Sequence, residues 1–322
     1  MNKTISYSFQ EFKNFCCEEF LFLTCVSFEE RTFTIPRILD KSLMKKGIVF
    51  TTNATDKIIK NCDVLLSLFK DKISVKEIVK NAPFSYSQIF NEGIDELINE
   101  GRKNLYIDIT TFNHEMLLIL LKIINRKKDS FNHIKFLYNG AKEYSIGDNK
   151  ENKWLSKGCK DIRSVLGYPG LLIPKKPICL TVLVGFEHER ASGLIERMEP
   201  DKIIIGHGKI DSSCVLSEKH IEPMRYFQDV HKSLFASKAN MSSFDFSVRD
   251  VDATMTIIEE QVINYPDYNH IIVPLNTKTS TLSIGLLALK IPKIQVCYVE
   301  PELYNNENYS LPGDTIVEYN MK

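Results

Sequence analysis

The sequence predicts an α/β protein built from two similar halves. Short apolar runs alternate with segments of helical spacing, and strands that are apolar throughout are typical of a parallel sheet covered on both faces. The order strand, polar turn and helix also occurs twice, with similar residues. We therefore predict two tandem Rossmann-like domains, each with a doubly wound parallel sheet, related by internal duplication. A chain of 322 residues, 43% of them hydrophobic, is long enough for two cores.

The first repeated element is a strand that ends in a turn with a phenylalanine, acids and an arginine. In the first copy, residues 20–26 lead into "SFEER" at 27–31. In the second, residues 178–184 lead into "GFEHER" at 185–190, so that Phe28 corresponds to Phe186. Helical spacing follows both turns.

Three later elements continue the repeat after a middle region in which the copies have diverged. They are a second strand at 46–50 and 201–205, a strand, turn and helix at 105–121 and 271–289, and a closing strand at 134–138 and 294–298. We predict domains at residues 1–150 and 177–322. The linker at 151–176 is polar at first and then rich in glycine and proline.

Composition excludes several classes of function. Lys+Arg 41 balances Asp+Glu 41, so no bulk positive field draws nucleic acid or an anionic membrane. The N-terminal residues have no apolar stretch of signal-peptide length, and the apolar runs are strand-sized, so we expect a cytoplasmic protein. The 8 cysteines form no CxxC pair, and the four histidines other than His114, His188 and His207 have no carboxylate or cysteine at ligand spacing. We expect no disulfide framework, no metal and no cofactor.

The later turn has the chemistry of an anion site. In open α/β sheets, ligands bind at the carboxyl ends of the strands, where both repeated turns lie. Hydroxyl and amide side chains, with the backbone N–H groups of a helix start, suit a phosphate, and Lys278 adds a positive charge. Helix capping is the alternative, because these are the preferred N-cap residues. The turn residues are Asp108, Thr110, Thr111, Asn113 and His114 in the first copy, and Asn276, Thr277, Lys278 and Thr279 in the second.

The acids of the earlier turn are less easily matched to a phosphate, because like charges repel. A structural interpretation makes them favourable charges at a helix start, paired with Arg31 and Arg190. A binding interpretation has a glutamate accept hydrogen bonds from ribose hydroxyls while the arginine binds phosphate. A catalytic interpretation uses a desolvated glutamate, with His188 or His114 as the acid or base. The acids are Glu29 and Glu30 in the first copy and Glu187 and Glu189 in the second.

These turns resemble those of the CARF domains, the CRISPR-associated Rossmann-fold sensors of prokaryotic antiviral systems. The second copy is the closer match, through Gly185-Phe186 and "NTKTSTLSIGLLAL" at 276–289. The first copy keeps Asp108, Thr110 and Thr111 but has no lysine there, and neither copy has the family's Gly-Gly pair. CARF domains pair about a two-fold axis and bind cyclic oligonucleotides across it. The resemblance implies that two copies in one chain form such a pair internally.

We therefore expect a nucleotide-type ligand sensor, or a regulatory component, of a prokaryotic antiphage defence system. It would bind a nucleotide or cyclic oligonucleotide between its halves and signal to a partner protein. We expect no association with a membrane, and the chain could form a homo-oligomer. A nucleotide- or nucleic-acid-cleaving enzyme and a structural scaffold with decayed sites are the alternatives. The expected ligand-binding residues are Ser27, Phe28, Arg31, Asp108, Thr110, Thr111, Asn113, Gly185, Phe186, Arg190, Asn276, Thr277, Lys278 and Thr279.

Overall fold

The chain folds into two compact units in a computed structural model that describes residues 4–13, 17–144, 154–186, 188–209, 240–307 and 309–321. The first unit contains Met1–Lys142 and Ser310–Lys322, and the second contains Glu143–Tyr309. Each unit is built around its own sheet.

The first unit has a seven-stranded sheet. Its strands are β1 (Thr4–Ser8), β2 (Phe20–Cys25), β3 (Met44–Thr51), β4 (Ile73–Glu77), β5 (Asn104–Asp108), β6 (Ile134–Tyr144) and, at the C-terminal end, β15 (Ser310–Met321). The strand order is β1-β15-β6-β5-β2-β3-β4. Strands β2 to β6 pair in parallel with one another, and β1 pairs antiparallel with β15. Every residue of β2 and β5 is buried, as a sheet covered on both faces requires.

The helices of the first unit begin where the sequence supplies caps. Thr55 and Asn113 accept hydrogen bonds from the first turns of α3 and α5, and Pro83 opens α4. The helices are α1 (Phe9–Phe12), α2 (Thr34–Ile38), α3 (Asp56–Phe69), α4 (Pro83–Ile98) and α5 (His114–Lys127), with short 3-10 helices at Glu30–Phe33, Lys70–Lys72 and Lys128–Ser130.

The second unit has a six-stranded sheet and a small two-stranded one. Its strands are β7 (Ser156–Lys157), β8 (Asp161–Pro169), β9 (Ile178–Val184), β10 (Lys202–Lys209), β11 (Met241–Ser247), β12 (Asn269–Pro274), β13 (Gln295–Glu300) and β14 (Leu303–Tyr304). Its described helices are α6 (His188–Met198), α7 (Val251–Asn264) and α8 (Lys278–Lys290). The larger sheet has the order β11-β10-β9-β12-β13-β8, in which only β8 is antiparallel to its neighbour.

The parallel parts of the two sheets have the same topology. When only the parallel strands of each unit are counted along the chain, both sheets have the order third, second, first, fourth, fifth, which is the Rossmann-like order. The sequence repeat therefore matches equivalent strands, and the predicted α/β class with two doubly wound sheets is confirmed. The order reverses between β2 and β5 in one unit and between β9 and β12 in the other, and ligands bind doubly wound sheets at such points.

The structure divides the chain differently from the predicted limits of 1–150, 151–176 and 177–322. Part of the expected linker forms β8, which pairs with β13. The C-terminal strand β15 belongs to the first unit, where Ile316 and Val317 are buried. Both strands pair with segments far along the chain, and such pairing leaves no local pattern in the sequence. Within the described ranges, no helix is both long and apolar enough to cross a lipid bilayer.

Candidate functional site

In each unit a polar side chain ties together the two loops that flank the point where the strand order reverses. In the first unit the hydroxyl of Thr111 donates to the carbonyl of Cys25, at 2.5 Å. In the second, the amide of Asn276 donates to the carbonyl of Val184, also at 2.5 Å. Both residues belong to the predicted ligand-binding set. In the structure, each side chain donates to a backbone carbonyl at the end of the first parallel strand of its unit.

Gly185 allows the two loops of the second unit to approach each other. A Cβ atom at this position would lie 2.4 Å from the carbonyl oxygen of Leu275 and 3.4 Å from the Cα of Asn276. No other residue fits without moving the backbone. Gly185, one of the expected ligand-binding residues, therefore leaves room for the neighbouring loop.

Arg31 is 2% exposed, and its guanidinium donates to protein acceptors. Nε and Nη2 donate to one carboxylate oxygen of Glu29, at 2.9 and 2.5 Å, and Nη1 donates to the carbonyl of Asn139 at 3.0 Å. Nε also lies 3.0 Å from the hydroxyl of Ser310, which itself donates to Glu29 at 2.7 Å. The salt bridge expected from the structural interpretation is present, and it joins the loop after β2 to β6 and β15.

Arg190 likewise donates to a backbone carbonyl in the second unit. It is also 2% exposed, its Nη2 donates to the carbonyl of Val299, and its Nη1 lies 3.4 Å from the hydroxyl of Ser156. In the repeat, Val299 on β13 corresponds to Asn139 on β6. The repeated arginine therefore binds the same backbone position of the fifth strand in both units.

The acids of the second motif are only partly described. Glu189 is exposed, and its carboxylate accepts the backbone N–H of Gly158 at 2.9 Å. The candidate Glu187 and the side chain of the candidate His188 lie outside the described residues. In the first unit, Glu30 is exposed at the start of a 3-10 helix.

Asp108 lies at the end of β5 and is fully buried. It accepts the backbone N–H of Thr110 at 3.0 Å, and the hydroxyl of Thr24 lies 3.4 Å away. Burial raises the pKa of Asp108 to about 6, although the bonds from Thr110 and Thr24 and the charge of Arg31 act in the opposite direction. The hydroxyl of Thr110 accepts the backbone N–H of Asn139 at 3.0 Å. This part of the predicted anion site is closed to solvent.

The remaining candidates of the first unit lie around this buried network. Asn113 is the N-cap of α5, as the capping alternative predicted, and His114 after it is buried. The hydroxyl of Ser27 accepts the backbone N–H of Glu29 at 3.1 Å. Ser27 and Phe28 are both half-buried.

The start of α8 is more open than the start of α5. Asn276, Thr277 and Lys278 are each half-exposed there. Thr277 caps the helix by accepting the backbone N–H of Ser280 at 3.3 Å. The hydroxyl of the buried Thr279 donates to the carbonyl of Val248, at 2.5 Å, which fixes the helix start against the loop after β11.

An aromatic side chain and a histidine lie at the same edge of the second sheet. Phe186 is half-buried, and its ring centroid is 5.2 Å from that of Tyr144. His207, near the end of β10, is half-buried and pairs in register with Val184. His207 was absent from the predicted ligand-binding set, because only the strand register places it beside the Phe186 loop. Among the described residues, no three histidines, cysteines or acids form a group that could hold a metal ion.

Comparisons with known proteins give little similarity. No family model and no curated protein matches the sequence. UDP-GlcNAc 2-epimerase from Neisseria meningitidis, solved bound to UDP-GlcNAc, is 10% identical with a TM-score of 0.25, over 79% of this chain and 77% of that chain. A ketoreductase domain from the bacillaene assembly line is 12% identical with a TM-score of 0.21, over 85% of this chain and 64% of that chain.

Proposed function

We propose that this chain binds a nucleotide-type ligand at the carboxyl edge of its second sheet. In this role it is a sensor or regulatory component of a prokaryotic antiphage defence system and signals to a partner protein. The observation that carries the proposal is the half-exposed Asn276-Thr277-Lys278 turn at the start of a 13-residue helix. A lysine beside a helix N-terminus suits a phosphate group. The resemblance to CARF domains supports a nucleotide or cyclic oligonucleotide as the source of that phosphate.

The aromatic pair at the same edge supports a nucleotide over a simple anion. Nucleobases stack on aromatic side chains, and such stacking tolerates any base. The half-buried Phe186, packed near Tyr144, presents such a surface. Phosphate near Lys278 and a base on Phe186 would use both features of the edge.

The first unit fits the scaffold alternative better. Its Asp108 and Thr110 are fully buried, and its Arg31 is engaged with Glu29 and two other acceptors. Arg31 would have to leave a buried ion pair before it could bind a phosphate, which is unfavourable. We therefore assign ligand binding to the second unit and a supporting role to the first.

We propose binding without turnover. Two of the described carboxylates of the motif have structural partners: Glu29 pairs with Arg31, and Glu189 accepts the N–H of Gly158. Asp108 has a raised pKa, as a general acid would, but its full burial keeps it from substrate.

Titration calorimetry and thermal unfolding with a panel of mononucleotides, linear oligonucleotides and cyclic oligonucleotides test the proposal. A nucleotide that binds the folded protein raises the midpoint temperature of unfolding. We expect Lys278→Ala to weaken binding by roughly ten-fold, the loss of about one charge-assisted hydrogen bond. Lys290→Ala is the matched control, because Lys290 ends the same helix and pairs with Glu259 at its surface.

Chromatography of the same mixtures distinguishes the alternatives. Intact nucleotide with a raised unfolding midpoint agrees with a sensor, whereas cleaved nucleotide means an enzyme. If no member of the panel binds, or if Lys278→Ala binds as well as Lys290→Ala, the proposed site is wrong.

A further inference from the structure

Residues 170–177, "GLLIPKKP", connect β8 to β9 at the amino edge of the second sheet, the edge opposite the proposed ligand site. Three consecutive aliphatic side chains are exposed there: Leu171 by 68%, Leu172 by 43% and Ile173 by 44%. Single exposed aliphatic residues are ordinary on protein surfaces. A run of three is not, and a contiguous apolar patch of this kind marks an interaction surface.

The backbone of the segment is held by hydrogen bonds and by a close approach to Gln295. Gly170 has a φ of +66°, and a Cβ there would lie 2.6 Å from the backbone nitrogen of Gln295. The side chain of the buried Asn269 accepts the N–H of Ile173 at 2.8 Å and donates to the carbonyls of Ile173 and Lys176, both at 2.9 Å. The aliphatic side chains therefore stand on an ordered backbone, which lowers the entropic cost of binding a partner.

The patch is bordered by positive charge. Lys175 and Lys176 follow it directly, and Lys293 is adjacent because its carbonyl accepts the N–H of Leu171 at 3.3 Å. The segment itself contains no acid. Two acids lie close by. The carboxylate of Asp201 accepts the N–H of Ile178 at 2.7 Å, and Asp267 follows Pro266, whose carbonyl accepts the ammonium group of Lys176 at 2.8 Å, so the three lysines leave the border with a net positive charge.

We propose that residues 171–173 and this lysine border form a docking surface for a partner protein segment that carries aliphatic and acidic side chains. Charge complementarity selects that partner over a second copy of this chain. In a symmetric dimer centred on the patch, the lysine borders of the two copies would lie near each other, which is unfavourable. The proposal does not depend on ligand binding, because it concerns the opposite edge of the sheet.

A random peptide library tests the chemistry of the partner without assuming its identity. Displayed peptides of about 16 residues, long enough to form one binding segment, are selected on the full chain. Peptides that also bind the double variant Leu171→Ser/Leu172→Ser are then removed. We expect the enriched peptides to combine Leu, Ile or Val with Asp or Glu. The double variant should weaken the best peptide by about ten-fold or more.

A charge variant and a matched control complete the experiment. Lys175→Glu/Lys293→Glu should also weaken binding, and raising the salt concentration should weaken it for the unaltered chain. Val79→Ser/Phe84→Ser, which removes two exposed apolar side chains of the first unit (64% and 80%), should leave it unchanged.

Four results would overturn the proposal. They are no enrichment, enrichment of peptides without acids, equal peptide binding by the Leu171→Ser/Leu172→Ser variant, and equal binding by the lysine variant. Binding to vesicles that contain phosphatidylglycerol, lost in the aliphatic variant, would assign the surface to lipid instead. A concentration-dependent doubling of mass that the same variant abolishes would assign it to a second copy.

Discussion

Replacing Asp108 by asparagine removes a buried charge and keeps the shape of the side chain. The folded protein raises the pKa of Asp108 from 3.8 to about 6, mainly through burial. The unfolded chain therefore loses this proton more readily than the folded chain. The contribution of the protonated Asp108 to the free energy of unfolding is fully present below about pH 4 and is lost as the pH rises through about 6. Between 3.8 and about 6, the lost stabilisation amounts to about 3 kcal/mol.

Asp108→Asn has no such titration, so the variant should gain on the unaltered protein as the pH rises. The amide oxygen of asparagine can still accept the N–H of Thr110, and its NH2 group can donate to the hydroxyl of Thr24. We expect nearly equal stability at about pH 4, and a variant more stable by up to about 3 kcal/mol above about pH 7.

The assay must report on the first unit alone, because the two units need not unfold together. The single tryptophan of the chain, Trp154, lies in the second unit, so tryptophan fluorescence does not report on the unit that contains Asp108. Hydrogen exchange of the β5 amides, measured by mass spectrometry at several pH values after correction for intrinsic rates, follows the first unit directly. Asp63→Asn is the control, since Asp63 is exposed on α3.

Two results would refute this reasoning about Asp108. A difference between variant and unaltered protein that is the same at low and high pH would mean that the carboxyl group does not titrate in this range. A variant that is less stable at neutral pH would mean that Asp108 is held as a charged carboxylate by Arg31, and that attraction outweighs burial.

Three further substitutions test the structural assignments. Arg31→Met leaves Glu29 charged, with its side chain only 9% exposed, and should cost about 3–5 kcal/mol in denaturant unfolding; adding Glu29→Gln should recover part of that loss. Arg190→Met should lower the stability of the second unit by about 1–3 kcal/mol, and equal stability would mean that the buried bonds contribute nothing. Gly185→Ala places a methyl group 2.4 Å from the carbonyl of Leu275 and should cost about 1–3 kcal/mol, measured by thermal unfolding; an unchanged midpoint would mean that the loops separate freely.

The parallel sheets could be predicted from the sequence because their strands are marked locally. Strands such as β2 and β9 are buried along nearly their whole length, so they read as continuous apolar runs bounded by polar turns. The antiparallel strands β8 and β15 mix buried and exposed residues in no regular alternation. Their partners lie far along the chain, so only the three-dimensional structure shows that β15 returns to the first unit.

The sequence suggested that the arginines pair with acids, but it could not show their backbone partners. Arg31 and Arg190 both donate to a backbone carbonyl. Because every residue type has this group, the sequence does not indicate which residue accepts the bond. A residue repeated in two copies is compatible with ligand binding and with a structural tie. The helix caps were easier to predict, because asparagine and threonine, as at Asn113 and Thr277, favour the N-cap position by themselves.

The difference between the two helix starts has a local cause. Five residues separate β5 from α5, whereas three separate β12 from α8. The longer turn contains Phe112, which is buried with its ring 6.4 Å from Phe50 and 6.1 Å from Phe90. This aromatic packing draws the turn into the core of the first unit, and His114 at the helix start is buried with it. The shorter turn has the buried Leu275 but no aromatic residue after it, and Lys278 at the start of its helix remains half-exposed. A duplicated fold can thus keep the same arginine tie in both units while only one helix start stays open to a ligand.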